Sequence, residues 1–256
     1  MDVIEAADAV SDPADPSDDP PGRVPKYYAV KVGLLDLLTG LPQGSALPTE
    51  RELSARYAAS RTTVRQALHE LEVEGRLRRV QGSGTFVARP KIEQSLSLTS
   101  YTEDMRTQGL RPASRLLSVD TVLPDPPLAE ALGLRARGKV LRVRRLRLAD
   151  GEPMALETLH LPARRVPGLQ RLLADDVSVY RLLDERYGIR PVEAEETIET
   201  SFATPAEAVL LGTDVGTPHL LLRRRTWDEA GQPIELVLSI YRGDRYRFVT
   251  RLRRPS

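Results

Sequence analysis

Cysteine is absent from the 256 residues, which excludes disulfide bonds and thiolate chemistry. Histidine is nearly so. His69, His160 and His219 lie far apart in the chain, without the short spacings that a zinc site needs, so neither a metal nor a cofactor is expected. No stretch approaches the roughly 18 consecutive apolar residues that mark a membrane-spanning helix. The first residues, MDVIEAADAVSDPADPSDDPPG, lack the basic start and apolar run of a secretion signal. A cytoplasmic protein with no membrane partner is therefore expected, and the acidic, Pro- and Ala-rich composition of residues 1–22 predicts a disordered tail. Lysine is also scarce, at Lys26, Lys31, Lys91 and Lys139 only. The resulting arginine bias fits a GC-rich genome as readily as phosphate recognition, and it carries no functional weight.

What is present suffices for two modest domains, since 41% of the residues are hydrophobic and length alone allows one large or two smaller cores. The formal net charge of +1 conceals an uneven distribution: residues 1–22 hold seven acids and no base, whereas residues 23–90 hold eleven Lys and Arg against six acids. A moderately basic segment of that length suits a nucleic-acid module, although the excess is small.

Within that segment, Tyr28, Val32, Leu35 and Leu38 fall at helical spacing and predict a first helix from about Lys26 to Leu38. LPTERELSARY offers a capping box, Thr49 followed by Glu52, which opens a short second helix. Ser60 caps a third. Val64, Ala67, Leu68 and Leu71 form the inward stripe of that helix, and Gly75 is placed to end it. The opposite face carries Arg61, Thr62, Arg65, Gln66 and His69. A short helix, a turn and a longer helix followed by two β-rich runs around Gly82, Ser83 and Gly84 read as a winged helix-turn-helix. Solvation alone explains most polar helix faces. Here Arg61, Thr62, Thr63, Arg65 and Gln66 sit near the helix start, where a recognition helix presents side chains to base edges and phosphates.

Beyond about residue 96 the pattern changes to β runs, with strands expected at 139–148, 152–161, 191–202, 217–227, 232–242 and 245–253. By the two-residue period, Leu141, Val143, Arg145 and Arg147 share a face, and Glu157 shares one with Pro153, Ala155, Leu159 and Leu161. A guanidinium on an apolar face requires an anionic partner. A two-residue turn at Asp150 and Gly151 would set Glu157 opposite Arg144, whereas a three-residue loop would pair it with Val143, beside Arg145. Glu235 and Tyr241 fall on one face, and a helix starting near Ser178 directs the amides of Ser178 to Tyr180 at a possible anion, with Asp175 and Asp176 opposing it. Taken singly, each of these charges reads more readily as part of an internal salt bridge than as a ligand contact.

The segments PTEREL, SRTTVRQAL, EGRL and QGSGTFV resemble the winged-helix signature of GntR-type bacterial transcription regulators over roughly residues 25–90. That likeness implies DNA contacts at Arg51, Ser60, Arg61, Thr62, Thr63, Arg65 and, on the wing, Gln81 and Gly82; Ser83 stands where related wings often carry Arg or Lys. SYTEDM, GEPMALETLHLP, AEETIETSFATPAEAVLLG and SIYRGDRYRFV are similar to the effector domain of the HutC subfamily (UTRA), and within it to amino-sugar regulators of the NagR and DasR type. The implied fold class is α/β (α+β), an N-terminal winged helix-turn-helix joined to a chorismate lyase-like antiparallel sheet. The implied division is a tail at 1–22, DNA-binding domain at 23–90, linker at 91–98 and effector domain at 99–256. The likeness further implies that Tyr101, Thr102, Arg145, Ser178 and Tyr180 hold the phosphate of an amino-sugar phosphate, and that Arg147, Glu157, Glu235 and Tyr241 read its hydroxyls and its amino or acetamido group.

The expected protein is a homodimeric repressor of amino-sugar uptake and catabolism that binds double-stranded DNA at an inverted repeat and answers to glucosamine 6-phosphate or N-acetylglucosamine 6-phosphate. Another phosphorylated sugar or small anion is the alternative ligand. An enzyme with a lyase-like second domain is a rival reading, but no nucleophile and base pair or metal set supports it. An architectural DNA binder would have no use for Arg145 and Glu157 on apolar faces.

Overall fold

The structure, a computed structural model, describes residues 24–80, 82–135 and 137–252. The expected tail over 1–22 and the wing residue Gln81 lie outside them. Three helices open the described chain: α1 (Lys26–Thr39), α2 (Glu50–Arg56) and α3 (Arg61–Val73). The caps act as their sequence implies. Thr49 Oγ1 accepts from the Glu52 amide at 3.3 Å while the Glu52 carboxylate accepts from the Thr49 amide at 2.8 Å, and Ser60 Oγ accepts from the Thr63 amide at 3.1 Å. Val64, Ala67, Leu68 and Leu71 are buried against Val30, Leu34 and Leu53, each Val or Leu contributing about 1.5–3 kcal/mol. The inward face of α1 is offset from the one expected: Val30 and Leu34 are buried, whereas Tyr28 and Val32 are exposed. Its sequence KYYAVKVGLLDLLT is apolar on several sides, so the period alone does not select a face. The wing is the antiparallel hairpin of β1 (Leu77–Val80) and β2 (Gly84–Val87).

The remainder holds β3 (Ile92–Ser95), α4 (Tyr101–Thr107), β4 (Pro112–Val122), α5 (Pro126–Ala131), β5 (Val140–Ala149), β6 (Glu152–Pro162), α6 (Val179–Tyr187), β7 (Glu193–Phe202), α7 (Pro205–Leu211), β8 (Pro218–Trp227), β9 (Pro233–Arg242) and β10 (Tyr246–Val249). Six strands form an antiparallel sheet in the order β4-β5-β6-β9-β8-β7. One face packs Leu141, Val143, Leu159 and Leu161 against Val179 and Leu183 of α6. On the other, Leu146 and Leu156 meet Ala208 and Leu211 of α7.

Two strands escape the sequence pattern. In β4 the pairing register shifts between Leu116 and Ser118, and the extra residue breaks the alternation that would have marked the strand. β3 lies inside the segment read as a linker. It pairs in parallel with β10, Phe248 opposite Gln94, a partner far along the chain.

The β5-β6 connection takes the two-residue turn considered for it but corrects both of the registers expected for Glu157. Asp150 and Gly151 form a two-residue turn with positive φ at both, +50° and +82°, as a type I′ hairpin requires. A bulge at Met154 then shifts the register, so that Leu148 faces Pro153 but Arg147 faces Ala155 and Arg145 faces Glu157. The same bulge removes Pro153 from the row that holds Glu157.

The two parts of the chain touch where α3 ends. Lys91 Nζ donates to the Gly243 carbonyl at 2.6 Å, and Gly75, at φ +70°, lies so close to Asp244 that a Cβ on it would stand 2.0 Å from that residue's carbonyl oxygen. Gly75→Ala therefore combines a backbone collision with a strained φ, and about 2 kcal/mol or more of stability should be lost. Urea denaturation checks this, and a variant as stable as the parent would show that Gly75 and Asp244 do not pack in solution.

Candidate functional site

The sheet face beneath α6 carries a cavity lined by charged, hydroxyl and aromatic side chains. Its floor follows from cross-strand rows. Arg145, Glu157, Ser239 and Leu222 form one row; Arg147, Ala155 and Tyr241 form the next. Ser239 is a small side chain flanked by larger ones on the cavity floor. Tyr101, Thr102, Arg145, Arg147, Glu157, Ser178, Tyr180, Glu235 and Tyr241 all line it, so the structure brings together every residue proposed for the effector.

Their mutual contacts refine the roles. Arg145 Nε donates to Glu157 Oε1 at 3.0 Å. Arg147 straddles the same carboxylate, its Nη2 reaching Oε1 at 3.1 Å and Oε2 at 3.0 Å and its Nε reaching Oε2 at 3.2 Å. A further bond runs from Arg147 Nη1 to Ser114 Oγ at 2.7 Å. The three side chains are buried, at 4%, 6% and 8% exposure for Arg145, Arg147 and Glu157. Glu157 is thus saturated by guanidiniums. It holds Arg145 and Arg147 in place instead of reaching a sugar hydroxyl. Two cations against one anion leave the cluster with an excess positive charge.

That excess faces the start of α6. Arg145 Nη1 donates to the Val177 carbonyl at 3.4 Å, next to the N-cap Ser178, and the first-turn amides of a helix have no partner within it. The opposition expected from Asp175 and Asp176 is redirected: their carboxylates accept from the Leu116 and Ser114 amides of β4, each at 2.6 Å. Tyr180 has two faces. Its amide belongs to the first turn of α6, while its hydroxyl donates to Glu235 Oε1, which also accepts from Thr226 Oγ1 at 3.1 Å.

Burial and charge set the protonation of these groups. Burial by itself would raise Glu157, but the attraction of Arg145 and Arg147 outweighs it and brings the carboxyl down to about 2. Arg145 is lowered, first by burial and then by Arg147. Glu235, buried without a cation bound to it, is raised, and Tyr101, whose ring lies 5.2 Å from the Arg147 guanidinium, is pushed up to about 12 by burial.

Sequence reasoning missed one wall. Arg224 on β8 and Glu196 on β7 are register partners joined bidentately at 2.9 and 3.2 Å, and both line the cavity together with Gln94, Thr99 and Asp104. The signal for Arg224 was available: Leu222, Arg224 and Thr226 share a face, the pattern already used for Arg145. Nothing local marks Glu196 or Gln94, which reach the cavity through pairing alone. Among the described residues no group of three or more His, Asp or Glu is placed to hold a metal.

On the first domain, Arg51, Ser60, Arg61, Thr62, Arg65, Gln66 and Gly82 are exposed and Thr63 is half-buried. Arg65 is not free: its Nε and Nη2 donate to Glu50 at 3.2 and 2.7 Å, and Arg79 Nη2 donates to the same carboxylate at 2.9 Å. The hydrogen bond from Arg65 is the main reason the Glu50 carboxyl is lowered.

Comparison with known proteins accounts for both parts. Residues 36–87 match the bacterial regulatory proteins of the gntR family, and residues 107–247 match the UTRA domain. The chain is 40% identical over 226 residues to the HTH-type transcriptional repressor PhnF of Mycolicibacterium smegmatis, covering 88% of this chain and 92% of that one. It is also 40% identical over 237 residues to the HTH-type transcriptional repressor NagR of Bacillus subtilis, covering 91% and 97%. The crystal structure of PhnF from Mycobacterium smegmatis aligns with a TM-score of 0.64 at 39% identity, over 88% of this chain and 99% of the other.

The depressed Glu157 carboxyl predicts acid sensitivity. Its contribution is complete above the ordinary carboxyl value of 4.5 and is lost as pH falls toward about 2, amounting to about 3 kcal/mol across that interval. Glu157→Gln should be less stable at neutral pH, because two guanidiniums lose their counter-charge, and should show a shallower fall in stability between about pH 5 and pH 2 by chemical denaturation. Equal slopes in the two proteins would mean that the cluster does not control acid stability.

Proposed function

The chain belongs to the gntR family of bacterial regulatory proteins, in the UTRA-bearing HutC subfamily of DNA-binding regulators, which are not enzymes, and on that footing we propose a cytoplasmic, homodimeric repressor of amino-sugar uptake and catabolism genes that answers to glucosamine 6-phosphate or N-acetylglucosamine 6-phosphate. The observation that carries the ligand class is the unmatched positive charge of Arg145 and Arg147 around Glu157, buried in a cavity beside a helix N-terminus. A phosphate supplies the missing anion and suits planar guanidiniums that donate two bonds at once. Arg145, Arg147, Thr102, Ser178 and the amides near Tyr180 take the phosphate; Glu235 and Tyr241 read the sugar. The likeness of the second domain to amino-sugar regulators supports the sugar. A different phosphorylated sugar or small anion is the second reading, since PhnF stands at the same 40% identity as NagR.

DNA is proposed to meet Arg51, Ser60, Arg61, Thr62, Thr63, Arg65, Gln66 and the wing at Gln81 and Gly82, on an inverted repeat that mirrors a two-fold dimer. Dimerisation is supported by β7. It forms a ten-residue outer strand of the sheet with most of its side chains exposed, an edge that natural proteins seldom leave uncovered.

Two measurements test this reading. Arg65→Ala should weaken operator binding by about 1–3 kcal/mol in a gel-shift titration while non-specific binding persists; the exposed pair with Glu50 is worth little, so Arg65 exchanges it for DNA at small cost. Unchanged affinity and discrimination would remove Arg65 from the interface. For the ligand, the melting temperature should climb with glucosamine 6-phosphate concentration, following RT ln(1 + [L]/Kd), and not with glucosamine. Arg145→Ala should fold, because Arg147 still grips Glu157, and should bind its operator while losing about 10- to 100-fold in sugar-phosphate affinity. A parent protein that no phosphorylated sugar stabilises would overturn the assignment.

A further inference from the structure

The connector strand β3 brings an unsatisfied polar group to the cavity. Along it Ile92 and Gln94 are buried while Glu93 and Ser95 are exposed, and Gln94, only 7% exposed, lines the cavity beside Phe248, its partner on β10. The amide orientation is determined by Asp104 on α4. One Asp104 oxygen accepts from Thr99 Oγ1 at 2.5 Å, and the other accepts from Gln94 Nε2. The amide nitrogen therefore points at Asp104 and its oxygen points elsewhere. That oxygen, Gln94 Oε1, is buried and has no hydrogen-bond partner among the described residues. Buried carbonyl oxygens are rarely left so, because their desolvation is uncompensated.

We infer that Gln94 is an effector-binding residue whose Oε1 accepts a hydrogen bond from an O–H or N–H group of the bound ligand. The chemistry narrows the donor. An amide oxygen only accepts, and the oxygens of a doubly ionised phosphate ester are acceptors too, so Gln94 serves the sugar part: a hydroxyl, an acetamido N–H or an ammonium. This rests on the proposed sugar-phosphate ligand and adds to it a contact from the strand that continues from the wing. The connector is thereby part of the binding site, and a ligand held by Gln94 grips the segment that leads into the DNA-binding domain.

Calorimetry on the full chain, parent and Gln94→Met, with inorganic phosphate and with glucosamine 6-phosphate as probes, tests the inference. Gln94→Met should bind inorganic phosphate as the parent does and glucosamine 6-phosphate about tenfold more weakly. Equal affinity of both proteins for glucosamine 6-phosphate overturns the role of Gln94 and leaves the sugar-phosphate reading standing; a parent that binds neither probe overturns both. If Gln94→Met melts too early to titrate, the Gln94 side-chain amide resonances of the parent decide. They should shift with glucosamine 6-phosphate and stay in place with inorganic phosphate, and no shift with the sugar phosphate rejects the contact.

Discussion

Two guanidiniums sharing one buried carboxylate is the constraint on which this cavity depends. Removing three charges from water costs several kcal/mol per ion, and their attraction offsets it only when geometry is close and the remaining donors are satisfied. The close geometry is met here by five hydrogen bonds onto Glu157, and Arg147 donates once more to Ser114 at its far side. The register makes this possible. Without the bulge at Met154 a two-residue turn would place Glu157 opposite Arg144, on the wrong partner. One inserted residue thus aligns the carboxylate with Arg145.

The strands that line the cavity also reach the winged helix. β9 contributes Glu235, Ser239 and Tyr241 to the cavity and then turns through Gly243 and Asp244, which press on Lys91 and Gly75 at the end of α3. β3 contributes Gln94 and follows the wing by a few residues. Between them, β3 and β10 form a two-stranded parallel pair that connects the two parts of the chain. Packed backbone therefore connects the cavity to the end of α3. On the surface proposed to meet DNA, Glu50 pairs with both Arg65 and Arg79.

Much of this was written locally. The stripe Val64, Ala67, Leu68 and Leu71, the caps Thr49 and Ser60, and the alternation that set Arg145 and Arg147 among Leu141 and Val143 are encoded within a few residues, and they appear in the structure as the sequence implies because helix caps and side-chain periods depend on near neighbours. What only the tertiary structure decided is of another kind. The face of α1, the strand β4 hidden by its own irregularity, the pairing of β3 with β10, the saturation of Glu157, and the arrival of Gln94, Glu196 and Arg224 in one cavity all turn on register and on which distant segment lies opposite. A shift of one residue exchanges the two faces of a strand, and whether a buried charge is paired or available depends on partners brought from tens of residues away. A local pattern can therefore name the charged residues of a site, while the sharing of charge among them is settled by the sheet.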